Sequence, residues 1–170
     1  MTKYIWLETF INLFIEYISM PYPIAHALIP GFIASKTTQQ KKLWLLAALI
    51  GMLPDIDGVY ILYNYQLYET LHRVVFHSLI IGFLISLFLM FVLKAKNNTE
   101  RLTIFTVSLL AFYSHLLLDL IFSNAGVYIF TPFSMYEVSF TILQLYPTWL
   151  FDITIIIIIL LICGAKQLTK

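Results

Sequence analysis

Residues 102–122 read LTIFTVSLLAFYSHLLLDLIF, and the fold class of the chain can be inferred from them. Apart from hydroxyl side chains, its only polar residues are His115 and Asp119. A helix needs about 20 predominantly apolar residues to cross the hydrocarbon core of a bilayer, so this stretch is long enough to span. Because His115 and Asp119 lie four residues apart, they share one helix face. The stretch therefore predicts a membrane helix that carries two side chains able to ligate a metal.

The composition of the whole chain agrees with a membrane protein. Of its 170 residues, 61% are hydrophobic and 11% are charged, whereas about a quarter of the residues are charged in an average soluble domain. The net charge of +1 gives no indication of a nucleic-acid partner. The single cysteine, Cys163, excludes an internal disulfide and a cysteine-based zinc site. We expect one integral membrane domain over residues 1–170.

Six apolar segments can be drawn, and the predicted fold class is an all-α, polytopic helical membrane protein. The segments are 4–20, 24–35, 43–53, 72–93, 102–122 and 148–163. The second and third are too short to span alone, so we expect them to be re-entrant or to reach only partway. Irregular backbone at that depth is tolerated only where it is buried in protein or lines a cavity. Short helices of this kind therefore indicate a functional cavity.

The basic residues indicate the orientation, because Lys and Arg accumulate in cytoplasmic loops. If the N-terminus is inside and the chain crosses or returns at each segment, all but one of the basic residues fall on the cytoplasmic side. These are Lys3, Lys36, Lys41, Lys42, Lys94, Lys96, Arg101, Lys166 and Lys170. The exception is Arg73. Both termini are therefore predicted to be cytoplasmic.

The histidines and several aspartates converge on one layer of the membrane. At 1.5 Å per helical residue, counting from the nearest cytoplasmic basic residue puts five of them about 15 to 27 Å from the cytoplasmic side. The five are His26, Asp55, His77, His115 and Asp119. The core is about 30 Å thick, so the layer lies toward the outer side. An aspartate at a helix centre costs at least about 2.5–3.5 kcal/mol there, and we expect a partner that compensates this cost.

A divalent metal is the partner that these residue types favour. Histidine and aspartate bind zinc, and carboxylates also suit manganese or magnesium. The four histidines, together with Asp55, Asp57 and Asp119, make seven such groups. Because seven exceed the four ligands of one structural zinc, we expect one to three ions. A bound metal lowers the pKa of its water to about 7 and supplies a nucleophile, so hydrolysis is the simplest chemistry. Asp55 or Asp57 would act as base or ligand, and the guanidinium of Arg73 suits a phosphate.

The order of these motifs resembles the YdjM-type family of bacterial and archaeal inner-membrane proteins, described as membrane-bound, metal-dependent hydrolases. The resemblance covers roughly residues 23–135 and rests on His26, Leu53-Pro54-Asp55-Ile56-Asp57, His72-Arg73-x-x-x-His77-Ser78, His115-x-x-x-Asp119, Gly126 and Thr131-Pro132-Phe133-Ser134. It implies a location in the plasma membrane of a bacterium or archaeon. It also implies a set of metal ligands: His26, Asp55, Asp57, His72, His77, His115 and Asp119.

A more distant likeness concerns the zinc-dependent phospholipase C and P1-nuclease group, whose members carry a His-x-x-x-Asp pair like His115 and Asp119. It implies cleavage of a phosphoester, and in a membrane the natural substrate is a lipid or a lipid-linked phosphate. Several supporting ligands of that group have no match here.

Two other functions stay open at this stage. A metal-ion or proton transporter also uses intramembrane His and Asp, but here those residues occupy one layer instead of a path across the bilayer. A structural membrane protein with a metal staple is the other alternative. Counted in the same way from Lys3 and Lys166, Glu16 and Asp152 lie at a similar depth of about 20 Å. They would either complete the site or pair with nearby polar residues.

Overall fold

The computed structural model describes residues 23–62, 64–123, 126–140 and 148–168. Within these ranges the chain forms helices and no strand, with one isolated antiparallel bridge between Val127 and Val138. The elements are α1 (Pro23–Thr37), α2 (Lys41–Met52), a 3₁₀ helix (Leu53–Leu62), α3 (Tyr65–Leu71), α4 (Leu79–Val92), α5 (Asn98–Phe122) and α6 (Thr148–Leu168). The predicted all-α class is therefore confirmed. The predicted first segment, 4–20, lies outside the described residues.

The centre of the fold is α5, which packs against α1, α2 and α4. Helices α1 and α2 form a tight hairpin, and α6 contacts α1. The buried apolar side chains form one cluster, which comprises Ala34, Ala47, Ile50, Ala111, Phe112, Leu116, Leu120 and Val127. Phe112 is fully buried, and it lies so close to Gly82 on α4 that a Cβ there would come within 2.5 Å of its ring. Glycine thus allows α4 to approach α5.

Helices α4 and α5 start after residues whose side chains cap them. The Ser78 side chain accepts a hydrogen bond from the Ile80 backbone N–H at the start of α4. The Asn97 side chain does the same for Glu100 at the start of α5. Such caps satisfy N–H groups that have no partner within the helix. Ser78 and Asn97 thus fix where α4 and α5 begin.

The two ends of the bundle differ in charge. At one end lie Lys36, near the end of α1, Lys41 at the start of α2, and Lys94, just after α4. The starts of α2 and α5 are joined there by an ion pair between Lys42 and Glu100. At the other end lie the start of α1, the end of α2, the start of α4 and the end of α5. The histidines lie toward this second end, as the depth argument predicted.

The helix predicted over residues 72–93 begins later in the structure than predicted. Residues 72–78 form turns, and α4 begins only at Leu79. Arg73 has a positive φ of 66°, in a left-handed conformation that does not propagate a right-handed helix. Residues 55–71, between the third and fourth predicted apolar segments, contain most of the 3₁₀ helix and all of α3. The residues between the third and fourth apolar segments are thus more structured, and less regular, than the periodicity predicted.

One described helix, α5, is long and apolar enough to cross a membrane. Helix α4 and the part of α6 from Ile153 to Ile162 are shorter apolar helices. Helices α1 and α2, at 15 and 12 residues, are also shorter than the roughly 20 needed to span. Within the described ranges, six membrane segments are therefore not confirmed.

Candidate metal centre

Four side chains from three parts of the fold meet at the second end of the bundle. Asp55 comes from the 3₁₀ helix, His77 from the turns before α4, and His115 and Asp119 from one face of α5. His77 and His115 are fully buried and Asp119 is 4% exposed. The Asp55 side chain is 24% exposed, so it gives the cluster its contact with the outside. We call these four residues the centre.

The ligand atoms of the centre all lie within 4.8 Å of one another, and five of the six distances among them are 3.2 to 3.7 Å. The Nε2 atoms of His77 and His115 lie 3.2 Å apart, and Asp119 Oδ2 lies 3.2 and 3.3 Å from them. Asp55 Oδ1 lies 3.7 Å from His77 Nε2 and 3.4 Å from His115 Nε2. Ligands at about 2.0–2.2 Å from a tetrahedral zinc are about 3.3–3.6 Å from one another. The residues present therefore fit a divalent ion.

The orientation of His115 is fixed from outside the centre. Its Nδ1 lies 2.7 Å from the carbonyl oxygen of Gly51, which can only accept a hydrogen bond. Nδ1 must therefore carry the proton, and in the neutral ring Nε2 presents its lone pair to the centre. Metal-binding histidines almost always donate their other N–H to a carbonyl or carboxylate in this way.

Charge at His77 is balanced by the two carboxylates. Burial lowers the pKa of its imidazole, but the nearby carboxylates of Asp119 and Asp55 outweigh burial and raise that pKa to about 9. Without a metal, a proton on His77 would therefore offset the negative charge of the centre at neutral pH. A divalent ion would replace this proton, because metals bind the neutral form of histidine.

His26 lies beside the centre on α1. Its ring stacks on His115 with 3.8 Å between ring centroids, and its Nε2 lies 3.4 Å from Asp119 Oδ1. Asp119 therefore directs one oxygen into the centre and the other toward His26. His26 Nδ1 is buried and has no hydrogen-bond partner among the described residues. This arrangement suits either an outer partner of Asp119 or a ligand of an adjacent second ion.

Asp57 and His72 form a neighbouring pair behind His77. Asp57 Oδ1 lies 2.8 Å from His72 Nδ1, while Oδ2 accepts from the Arg73 N–H at 3.4 Å and lies 3.7 Å from His77 Nδ1. Both Asp57 oxygens thus face residues 72–77. The ring of His72 stacks on Tyr68, with 4.5 Å between centroids. All seven predicted ligands are therefore contiguous, and four of them converge on a single point.

The fold thus brings the seven predicted ligands together. Three other residues were also predicted to take part in the site. Arg73 is 4% exposed, and its backbone N–H donates to Asp57 Oδ2 at 3.4 Å. Glu16 and the side chain of Asp152 lie outside the described residues, so their proposed part in the site stays a prediction.

Sequence reasoning missed the part of Gly51. A Cβ at Gly51 would lie 2.1 Å from the His26 carbonyl oxygen and 2.6 Å from Pro30 Cγ. Glycine therefore lets α2 cross α1 closely enough for the Gly51 carbonyl to reach His115. The signal available in the sequence was a glycine one turn before Asp55, but its contacts with α1 depend on tertiary packing.

Comparison with known proteins identifies one family. The family model described as YdjM inner membrane protein matches residues 24–169. This match covers every residue of the centre and all six described helices apart from Pro23. No curated protein and no solved structure matches the chain.

Proposed function

The chain belongs to the YdjM inner membrane protein family, and we propose that it is a membrane-embedded, metal-dependent hydrolase that cleaves a lipid or lipid-linked phosphoester. The observation that carries this proposal is the spacing of four ligand atoms in the centre, from Asp55, His77, His115 and Asp119. Zinc is the metal we expect, since two imidazoles and two carboxylates in a tetrahedral arrangement suit it. Manganese and magnesium are the alternatives. One to three ions would use the seven clustered groups.

The chemistry follows from what the residues can do. A divalent ion at the centre would acidify water to a pKa of about 7 and so supply a nucleophile at neutral pH. Asp55, the most exposed of the four residues of the centre, is suited to accept a proton or to leave room for substrate. Asp57 holds His72 and the backbone of Arg73, which keeps the turns around His77 in place.

We assign the phosphate to Arg73. It is the only Lys or Arg between Lys42 and Lys94, and it lies in the same turns as His77. A guanidinium binds phosphate oxygens with two parallel hydrogen bonds. Because the site lies at the opposite end of the bundle from Lys36, Lys41, Lys42 and Lys94, the positive-inside rule favours a position toward the outer leaflet. A phospholipid or another lipid-linked phosphate is therefore the substrate class that we propose.

The transporter alternative is disfavoured by the composition of α5. Between Arg101 and His115 this helix has no acidic, basic or histidine side chain. Relays of ions or protons use such side chains along the membrane depth. Flux of zinc or protons in proteoliposomes, without hydrolysis, would favour the transporter.

Metal content and hydrolysis test the proposal together. We expect the detergent-purified wild type to contain zinc by elemental analysis and to hydrolyse a member of a phospholipid panel, with activity lost on chelation and restored by zinc. His115→Ala and Asp119→Asn should lose both metal and activity. Ser114→Ala is the matched control, because this neighbour on α5 donates its hydroxyl to the Ala111 carbonyl instead of to the centre. Metal-free wild type, together with full activity of both ligand variants, would overturn the proposal.

A further inference from the structure

A loop beside the centre exposes large apolar side chains. Residues 126–140, which we call the aromatic loop, follow α5. Five of their side chains are markedly exposed: Phe130 47%, Phe133 83%, Met135 67%, Tyr136 68% and Phe140 47%. Large apolar patches of this kind mark surfaces that contact a protein or a membrane.

The aromatic loop is tied to the ends of two helices. At the start of α4, the Leu79 N–H donates to the Ile129 carbonyl at 3.0 Å, and the Ser78 hydroxyl donates to the Thr131 carbonyl. Near the end of α5, the Phe140 N–H donates to the Leu120 carbonyl at 3.1 Å. The exposed side chains are therefore displayed from a backbone that is held in place.

The two ends of the loop are also joined to each other. Val127 and Val138 exchange two backbone hydrogen bonds, of 2.9 and 3.0 Å. Glu137 is the only charged residue of the loop, and its carboxylate accepts from the Gly126 N–H at 3.0 Å. Glu137 is itself exposed, and no Lys or Arg occurs between Arg101 and Lys166. The exposed face is thus rich in aromatic side chains and carries a single charge, whose carboxylate is bonded to the base of the loop.

The position of the loop fits the boundary of a bilayer. It lies where the apolar helix α4 begins and the spanning candidate α5 ends, at the opposite end of the bundle from the ion pair of Lys42 and Glu100. Aromatic residues are enriched where membrane helices meet the interface, because their rings are apolar and, in tyrosine, carry a polar tip. A water-exposed loop has no comparable reason to present three phenylalanines.

We infer that the aromatic loop is a lipid-binding surface, seated at the headgroup–acyl boundary of the bilayer with Phe133 and Tyr136 among the lipid. Interfacial segments with such side chains are buried about 5–10 Å into that boundary. The Tyr128 N–H also donates to the Arg73 carbonyl at 3.4 Å, so the surface is coupled to the turns that carry His77. Lipid held there would have its headgroup next to the centre. The inference concerns contact with lipid and holds whether or not the centre is hydrolytic.

Spin labels placed on the loop measure its depth directly. In a Cys163→Ala background, which removes the only native thiol, Phe133→Cys and Tyr136→Cys would be labelled and the protein reconstituted into phosphatidylcholine vesicles. Power-saturation EPR then compares collisions with oxygen, which concentrates in lipid, and with a water-soluble nickel chelate. Phe88→Cys on α4, 63% exposed, is the lipid-facing reference, and the exposed Gln40→Cys is the aqueous reference.

We expect labels at 133 and 136 to have an oxygen-to-nickel accessibility ratio several-fold above that at 40 and below that at 88. A ratio equal to that at 40 would overturn the inference, because the loop would then lie in water. Low accessibility to both reagents would also overturn it, since another protein surface would cover the loop. Dipolar broadening that disappears on dilution with unlabelled protein would identify that surface as a second copy. Activity plays no part in these measurements, so their failure is distinct from failure of the hydrolase proposal.

Discussion

The two ring nitrogens of His115 have different partners, and the two oxygens of Asp119 differ in the same way. Nδ1 contacts the Gly51 carbonyl, which leaves Nε2 for the centre. Asp119 similarly directs one oxygen to His77 and His115 and the other to His26. Asp57 differs, because neither of its oxygens is described near Asp55 or Asp119. We therefore expect Asp57 to position histidines, while Asp119 binds the ion.

Asparagine substitutions separate these two roles. Asp57→Asn keeps the shape of the side chain but weakens the contact with His72 Nδ1, and loss of an outer partner typically costs about 10–100-fold in metal affinity. Asp119→Asn removes a charged ligand and should cost more than that. Zinc dissociation constants, from competition with a chelating dye in detergent, give the comparison, with Ser114→Ala expected to match the wild type. Equal losses in Asp57→Asn and Asp119→Asn would mean that Asp57 is itself a ligand.

At the scale of elements, the close crossing of α1 and α2 supports the centre. Gly51→Ala would bring a Cβ against the His26 carbonyl and Pro30, so the helices must separate. Overpacking of this kind costs about 1–3 kcal/mol of stability, and it also shifts the carbonyl that holds His115. We expect a lower thermal unfolding midpoint and weaker zinc binding than in the wild type.

The control for this substitution is Gly58→Ala in the 3₁₀ helix. A Cβ at Gly58 meets no atom within 4 Å, and the residue does not have a positive φ. The stability of the Gly58→Ala variant should therefore stay close to that of the wild type. If Gly51→Ala were equally stable and bound zinc equally well, the crossing would not be as tight as the contacts indicate.

The sequence predicted the regular elements better than the irregular ones. Helix α5 was predicted over 102–122 and runs from Asn98 to Phe122, because the apolar run and the Asn97 cap are both local signals. The turns at 72–78 were missed, since the positive φ of Arg73 is stabilised by non-local contacts with Asp57 and Tyr128. Periodicity reports a helical face, but it does not report where a tertiary hydrogen bond replaces a helical one.

That the histidines and aspartates would lie near one another could be predicted from the sequence. Imidazoles and carboxylates in an apolar chain need partners, and few were available, so the seven residues were expected together. Which four would converge was not predictable, because it depends on the angle between the 3₁₀ helix and α5. The contribution of Gly51 depends in the same way on a crossing between helices that no local pattern reports.

At the scale of the whole molecule, the centre joins parts of the chain that are far apart in sequence. Asp55 and Asp119 are 64 residues apart, and His77 comes from the turns between them. In the folded chain the buried carboxylate of Asp119 and the partly exposed carboxylate of Asp55 lie close together and repel each other, and a buried charge without compensation is strongly destabilising. A bound divalent ion would replace the repulsion between the carboxylates by attraction to the ion. Metal binding should therefore stabilise the folded chain.

Zinc should therefore raise the stability of the wild type measurably. A ligand that binds only the folded state at about 100 times its dissociation constant adds about 2.7 kcal/mol to the free energy of unfolding. We expect the thermal midpoint in detergent to rise with zinc concentration and to fall again on addition of chelator, as followed by the loss of helical circular dichroism. Asp119→Asn should show no such rise, because its centre lacks a ligand, whereas Ser114→Ala should respond like the wild type. A midpoint that is independent of zinc in the wild type, or that rises equally in Asp119→Asn, would show that the ion is not bound where these three elements meet.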